Sequence, residues 1–313
     1  MKRFRGLAVV AAVAVYLQVV LGSVVRITGS GLGCPDWPLC HGQVVPSFEY
    51  HTVIEYAHRL VGTTAGLLMV ATAVYAVVLL RRNQMPRGPV SAAVAAVGLI
   101  VVQGIVGGIT VLMKNSPFTV AIHLGNAELV LGAAIVVALW AARLARGAAR
   151  PAGKAGNAGN ARILAGLLGA YVIVVTGAVV VGTGASGACT SWPLCGQSRS
   201  SLVDIHMLHR VVVLLGSVAI LGAAFAASRR WRGQGLALAA RAAALLLIAE
   251  VLVGAAQVTN GLPAPLRSIH VALASAVWGA MVLLAGGAWL EREGRAEQPA
   301  ANPARLSRAG VSP

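Results

Sequence analysis

Eight unbroken apolar runs, at about residues 7–25, 53–80, 90–112, 119–141, 162–183, 205–227, 236–257 and 268–290, limit what this chain can fold into. A helix crosses about 30 Å of hydrocarbon with roughly 20 residues at 1.5 Å each, and every run meets that requirement. Membrane strands would alternate apolar and polar residues over short segments, so a barrel is excluded. Only 11% of the 313 residues are charged, against roughly 25% in soluble domains, and the mean hydropathy is +0.79. The expected fold is all-α, with eight transmembrane helices in a lipid bilayer.

The formal charge of +16 suggests a nucleic-acid partner until its distribution is read. Basic residues gather in alternate connections: Lys2, Arg3 and Arg5; Arg81, Arg82 and Arg87; Arg143, Arg146, Arg150, Lys154 and Arg162; Arg229, Arg230, Arg232 and Arg241; and Arg292, Arg295, Arg305 and Arg308. The positive-inside rule then predicts a multi-pass cell-membrane protein with both termini in the cytoplasm, and no nucleic acid. The opening MKRFR followed by an apolar run also fits a cleaved signal peptide. Here the run is long and leads straight into a loop whose equivalent recurs later, so it is expected to stay as the first span.

The chain repeats itself. GSGLGCPDWPLC at 29–40 answers GTGASGACTSWPLC at 182–195, with Cys34 matching Cys189 and Cys40 matching Cys195 at an offset of 155. EYAHR, ending at Arg59, answers HMLHR, ending at Arg210, at an offset of 151. SPFTVAIH answers PAPLRSIH at an offset of 147, and Gln103 and Gly107 answer Glu250 and Gly254 at the same offset. Each half holds four spans and so inserts the same way round. Two tandem four-helix bundles, related by a pseudo-two-fold along the membrane normal, are predicted. The expected division is 1–142, a cytoplasmic linker at 143–161 rich in Ala, Gly and Arg, 162–291, and a cytoplasmic tail at 292–313.

His58, His123, His209 and His270 each fall one or two turns into an even-numbered span, about 8 Å below the outer surface. Two per repeat at equal depth suit two bis-histidine haem sites, with haem iron held between helices on either side of a bundle. A histidine hydrogen-bonded to a neighbouring helix is the plainer reading, but recurrence in both halves weighs against it. Zinc or copper would want three or four ligands converging on one point, whereas these divide two and two. Gly62, Ala127 and Ala274, one turn deeper, either leave room for a macrocycle or serve close helix packing. Arg59, Arg210, Arg26 and Arg267 are candidates for propionate pairing, with ordinary interfacial snorkelling the alternative.

Glu55 shares a helix face with His58, one turn nearer the outside, where the second half has His206. A carboxylate there can relay protons or steer a substrate, or be a simple interfacial acid. Glu128 lies about 140° round the helix from His123 and should not face the same cofactor; Glu250 stands in the place of Gln103. The cysteines form two candidate loop disulfides, Cys34 with Cys40 and Cys189 with Cys195, in the compartment that permits them. A loop staple is the favoured reading for the second pair, and a staple or a redox-active pair for the first. His41 and His51 have no counterparts and are expected to be solvated loop residues.

GSGLGCPDWPLCHG, EYAHR, QGIVGGITVL with SPFTVAIHL, and CTSWPLC with HMLHR resemble the haem A synthase family over roughly residues 7–290. The resemblance implies oxidation of the C8 methyl of haem O to a formyl group, giving haem A for cytochrome oxidase. It places His58, His123 and a catalytic Glu55 at the substrate haem, and His209 and His270 at a haem b. Cys34 and Cys40 match the family's first-loop pair, for which a redox or structural role is proposed. Haem O synthase, cytochrome oxidase assembly factors and a second copy of the chain are candidate partners. The competing function is a membrane di-haem cytochrome b for quinol-linked electron transfer. A transporter with repeated halves ranks last, since it would place helix-breaking Gly or Pro near midplane.

Overall fold

A computed structural model describes residues 1–147, 157–196, 200–232 and 235–296. Arg150 and Lys154 of the expected linker, Arg199, and Arg305 and Arg308 of the expected tail lie outside the described residues. Eight α-helices are present among the described residues, with a short 3-10 helix at Ala185–Ala188: α1 Lys2–Ile27, α2 Tyr50–Arg81, α3 Arg87–Leu112, α4 Pro117–Arg146, α5 Asn157–Gly182, α6 Ser201–Arg230, α7 Gly235–Thr259 and α8 Ala264–Ala296. All eight are long and apolar enough to cross a membrane. They outrun the apolar stretches because polar and basic residues continue the same hydrogen-bonded ladder beyond the hydrocarbon.

Within the first half, α1 packs on α2, α2 on α3, α3 on α4 and α4 on α1; α5 to α8 close the same ring. In each ring the second and fourth helices are diagonal, which is the placement that lets two side chains meet across a bundle. The halves join through α1, α4, α5 and α8. Tyr16 donates from α1 to Ala272 O of α8 at 3.1 Å, and Tyr171 donates from α5 to Gly125 O of α4 at 3.2 Å. Those two tyrosines match at the repeat offset of 155, and Gly125 and Ala272 at 147. Such reciprocity is what a two-fold axis between the halves would produce.

The core is richest away from the loops, where Phe4, Trp231, Met281 and Leu284 are fully buried. Large apolar side chains such as Leu67, Leu214, Val218 and Leu252 ring the outside of the helices. Such an apolar girdle belongs in lipid rather than in water.

Candidate functional site

The site is set by where four helices start. Ser116 caps α4, accepting from Thr119 N, with Pro117 in the first turn; Ser200 caps α6, accepting from Val203 N. His58 and His209 lie eight residues into α2 and α6, and His123 and His270 six residues into α4 and α8. All four sit at the end of the molecule that carries the disulfide loops. In each ring the histidine-bearing helices, α2 with α4 and α6 with α8, are the diagonal ones, so each half carries its own two histidines. Among the described residues no three His, Cys, Asp or Glu side chains converge on one point.

Each imidazole lies against a glycine of the neighbouring helix. A Cβ added at Gly22, Gly107, Gly177 or Gly254 would come 3.1, 3.0, 3.3 or 3.0 Å from Cε1 of His58, His123, His209 or His270 respectively. One side chain near each glycine reaches the ring. Gln18 Nε2 stands 3.0 and 3.2 Å from the two ring nitrogens of His58, and Gln103 Nε2 stands 3.3 Å from both of His123. Thr176 Oγ1 approaches His209 Nδ1 at 2.9 Å, and Glu250 Oε1 approaches His270 Nδ1 at 2.9 Å, the latter outside hydrogen-bond angles. This donor set fits haem: two imidazole ligands per half, on diagonal helices, each ring packed against a glycine where a side chain would press on it.

Of the two uses open for Gly62, macrocycle space or close helix packing, the structure shows the second. A Cβ there would come 2.8 Å from Gln18 Nε2, so Gly62 makes room for the glutamine that reaches His58. Nothing in the sequence pattern singled out Gln18, although a polar residue four positions before a glycine in an apolar span was a usable signal. Glu128 is fully buried and faces Ser275 of α8, away from His123.

Both disulfides are formed, Cys34 with Cys40 and Cys189 with Cys195. Cys34, Cys40 and Cys189 are buried and Cys195 is half-buried. Glu55 is buried beneath the first loop, where its Oε2 accepts from Cys34 N at 2.9 Å and its Oε1 pairs with Arg59 at 2.6 Å. Arg59 also donates to the carbonyls of Cys34, Asp36 and Leu39. Its four terminal N–H groups are therefore spent on the loop and on Glu55, leaving little for a propionate. In the second loop His206 Nδ1 meets Ala185 O at 3.0 Å, so a ring replaces the carboxylate and a carbonyl replaces the loop N–H. Arg210 donates to Pro193 O, and its NH2 is buried with no partner among the described residues.

His41 lies in the first loop, but His51 falls in the first turn of α2 rather than in a loop as expected; both are exposed yet not loose. His51 Nδ1 meets Ser30 Oγ at 3.0 Å and His41 Nε2 meets Gly33 O at 2.8 Å. Trp37 lies over α3, where a Cβ at Gly108 would come 2.7 Å from its ring. Asp36 accepts from Gly42 N at 2.7 Å and His41 N at 2.6 Å, and these backbone N–H groups, with Arg59, hold its carboxyl below the usual aspartate range.

The sequence model of one protein family, COX15-CtaA, described as cytochrome oxidase assembly protein, matches residues 5–282. A heme A synthase of Geobacillus kaustophilus is 31% identical over 270 residues, covering 84% of each chain. One from Symbiobacterium thermophilum is 31% identical over 294 residues, covering 91% of this chain and 95% of its own. One from Geobacillus thermodenitrificans is 30% identical over 283 residues, covering 87% of each.

Proposed function

The chain belongs to the COX15-CtaA family of cytochrome oxidase assembly proteins, and from that membership we propose that it works as a haem A synthase. The reaction is oxidation of the C8 methyl of haem O to a formyl group, to furnish haem A for cytochrome oxidase. The observation that carries this reading is the pair of histidines in each half, every ring seated on a glycine. Bound haem iron supplies redox chemistry that side chains cannot.

In this reading residues 1–142 form the substrate half, 143–161 the linker, 162–291 the haem b half and 292–313 the tail. His58 and His123 hold haem O, and His209 and His270 hold haem b. Glu55 acts beside the substrate from beneath the disulfide loop. Arg210, with its spare NH2, is the better-placed guanidinium for a propionate. The farnesyl tail of haem O finds apolar surroundings in the bilayer and along the helix faces. The disulfide end faces the oxidising side of the cell membrane, and both termini lie in the cytoplasm, where the basic connections cluster.

Pigment extraction from membranes expressing the chain with a haem O source is the test. Haem A should appear only when the chain is present. Haem b alone, with haem O unconsumed, would replace this reading with the electron-transfer cytochrome.

A further inference from the structure

The four rings meet neighbours of opposite hydrogen-bonding sense in the two halves. Gln18 Nε2 also donates to His58 O at 3.0 Å, which fixes the amide so that its NH2 faces the ring. Asn126 Nδ2 donates to Leu99 O at 3.2 Å and to Gln103 Oε1 at 2.8 Å, which turns the Gln103 NH2 toward His123. Both N-terminal rings therefore face donors that stand about equally far from Nδ1 and Nε2. An N–H so placed lines up with neither in-plane lone pair, so it selects no tautomer and leaves the ligand nitrogen of these two rings unfixed.

In the C-terminal half the sense reverses. Thr176 Oγ1 donates its own proton to Val172 O at 2.8 Å, so toward His209 Nδ1 it offers a lone pair. Glu250 places an acceptor-only carboxylate oxygen 2.9 Å from His270 Nδ1, outside hydrogen-bond angles, so its pull on an Nδ1–H is electrostatic. Acceptors at Nδ1 call for an Nδ1–H and leave Nε2 free as the ligand atom, the arrangement that orients a metal-bound imidazole and raises its basicity. Gln103 and Glu250 occupy the same place in the repeat, so the halves differ here by the chemistry of one side-chain terminus.

We propose that Thr176 and Glu250 are positioning residues that make the C-terminal pair a resident haem site. Gln18 and Gln103 are their counterparts, keeping the N-terminal pair releasable so that substrate enters and product leaves. The inference rests on the haem-binding reading above and adds which residues set the two sites apart.

The test is haem release from the purified full chain into excess apomyoglobin, followed optically. The wild type should release haem in a fast and a slow phase, with His209→Ala removing the slow one. Thr176→Val and Glu250→Gln should each speed the slow phase by roughly 10- to 100-fold. Gln103→Glu should slow the fast phase, a gain that misfolding cannot produce. A wild type without bis-histidine haem would sink the haem reading itself. Two clean phases that none of the three variants moves, or a fast phase that Gln103→Glu leaves alone, would overturn the assignment of positioning residues and leave that reading standing.

Discussion

Glu128 and Ser275 share a hydrogen bond of 2.6 Å between side chains that hold the same place in the two repeats, 147 residues apart. Each lies five residues beyond a histidine, His123 on α4 and His270 on α8. The bond thus ties the two ligand-bearing helices together about a turn and a half below the rings. Trp278 adds a second tie, donating from α8 to Glu128 O at 2.7 Å. Ser275 is fully buried as well, so the contact excludes water and its loss is uncompensated.

Ser275→Ala should therefore lower thermal stability in detergent by about 1–3 kcal/mol, because it strips the Glu128 carboxyl of its hydroxyl donor. Glu128→Gln keeps an acceptor oxygen for Ser275 and should cost less. Equal melting of Ser275→Ala and wild type would show that the bond contributes nothing to joining the halves.

The glycine seats predict a steric experiment. Gly254→Ala drives a Cβ to 3.0 Å from His270 Cε1, so the ring must shift. The low-spin haem signal of the C-terminal half should fall sharply in that variant. Gly6→Ala is the matched control, since nothing lies within 4 Å of its Cβ. Replacing an unconstrained helical glycine should be neutral or stabilising, by up to about 1 kcal/mol. Unchanged spectra for Gly254→Ala would mean the seat yields freely and does not fix the ring.

Glu55→Gln should leave both haems bound while lowering the yield of haem A. One carboxylate oxygen meets a loop N–H and the other a guanidinium, both donors. An amide can satisfy only one of them with its oxygen and turns its NH2 against the other. Haem content by pigment extraction and haem A yield from the same membranes separate the two effects. Full haem A yield in this variant would remove Glu55 from the mechanism.

The helices and the recurrence of the histidine positions were legible in the sequence because both obey rules of short reach. An apolar run of spanning length needs no partner to be recognised, and the repeat brought equivalent histidines to one depth. What lay hidden depends on partners distant in sequence. Gln18 meets His58 across 40 residues, and Glu55 meets Cys34 through a loop path that no spacing rule describes. Helical periodicity places Glu55 on the His58 face, one turn nearer the outside. Periodicity fixes a direction from the helix axis, but not that a loop folds down over that face and occupies both carboxylate oxygens. Arg59 stood among four candidates for propionate pairing because it follows a histidine near the water boundary, and adjacency in sequence does not reveal that three loop carbonyls accept from it.

The first disulfide loop should also respond to acid through Asp36. Its carboxyl is held below the ordinary aspartate range, first by the Gly42 N–H, with His41 N–H and Arg59 adding to it. A carboxylate with a lowered folded-state pKa binds fewer protons when the loop is formed than when it is open. Its contribution is therefore complete above the usual aspartate range and is lost as pH falls through the depressed folded value. Asp36→Asn removes that dependence. Amide hydrogen exchange at His41 and Gly42, corrected for the intrinsic pH effect, should show stronger protection in wild type than in Asp36→Asn at neutral pH. The gap should close on acidification below the aspartate range. A gap that persists unchanged under those conditions would show that the turn at residues 36–42 is held by the disulfide and Trp37 rather than by the Asp36 charge.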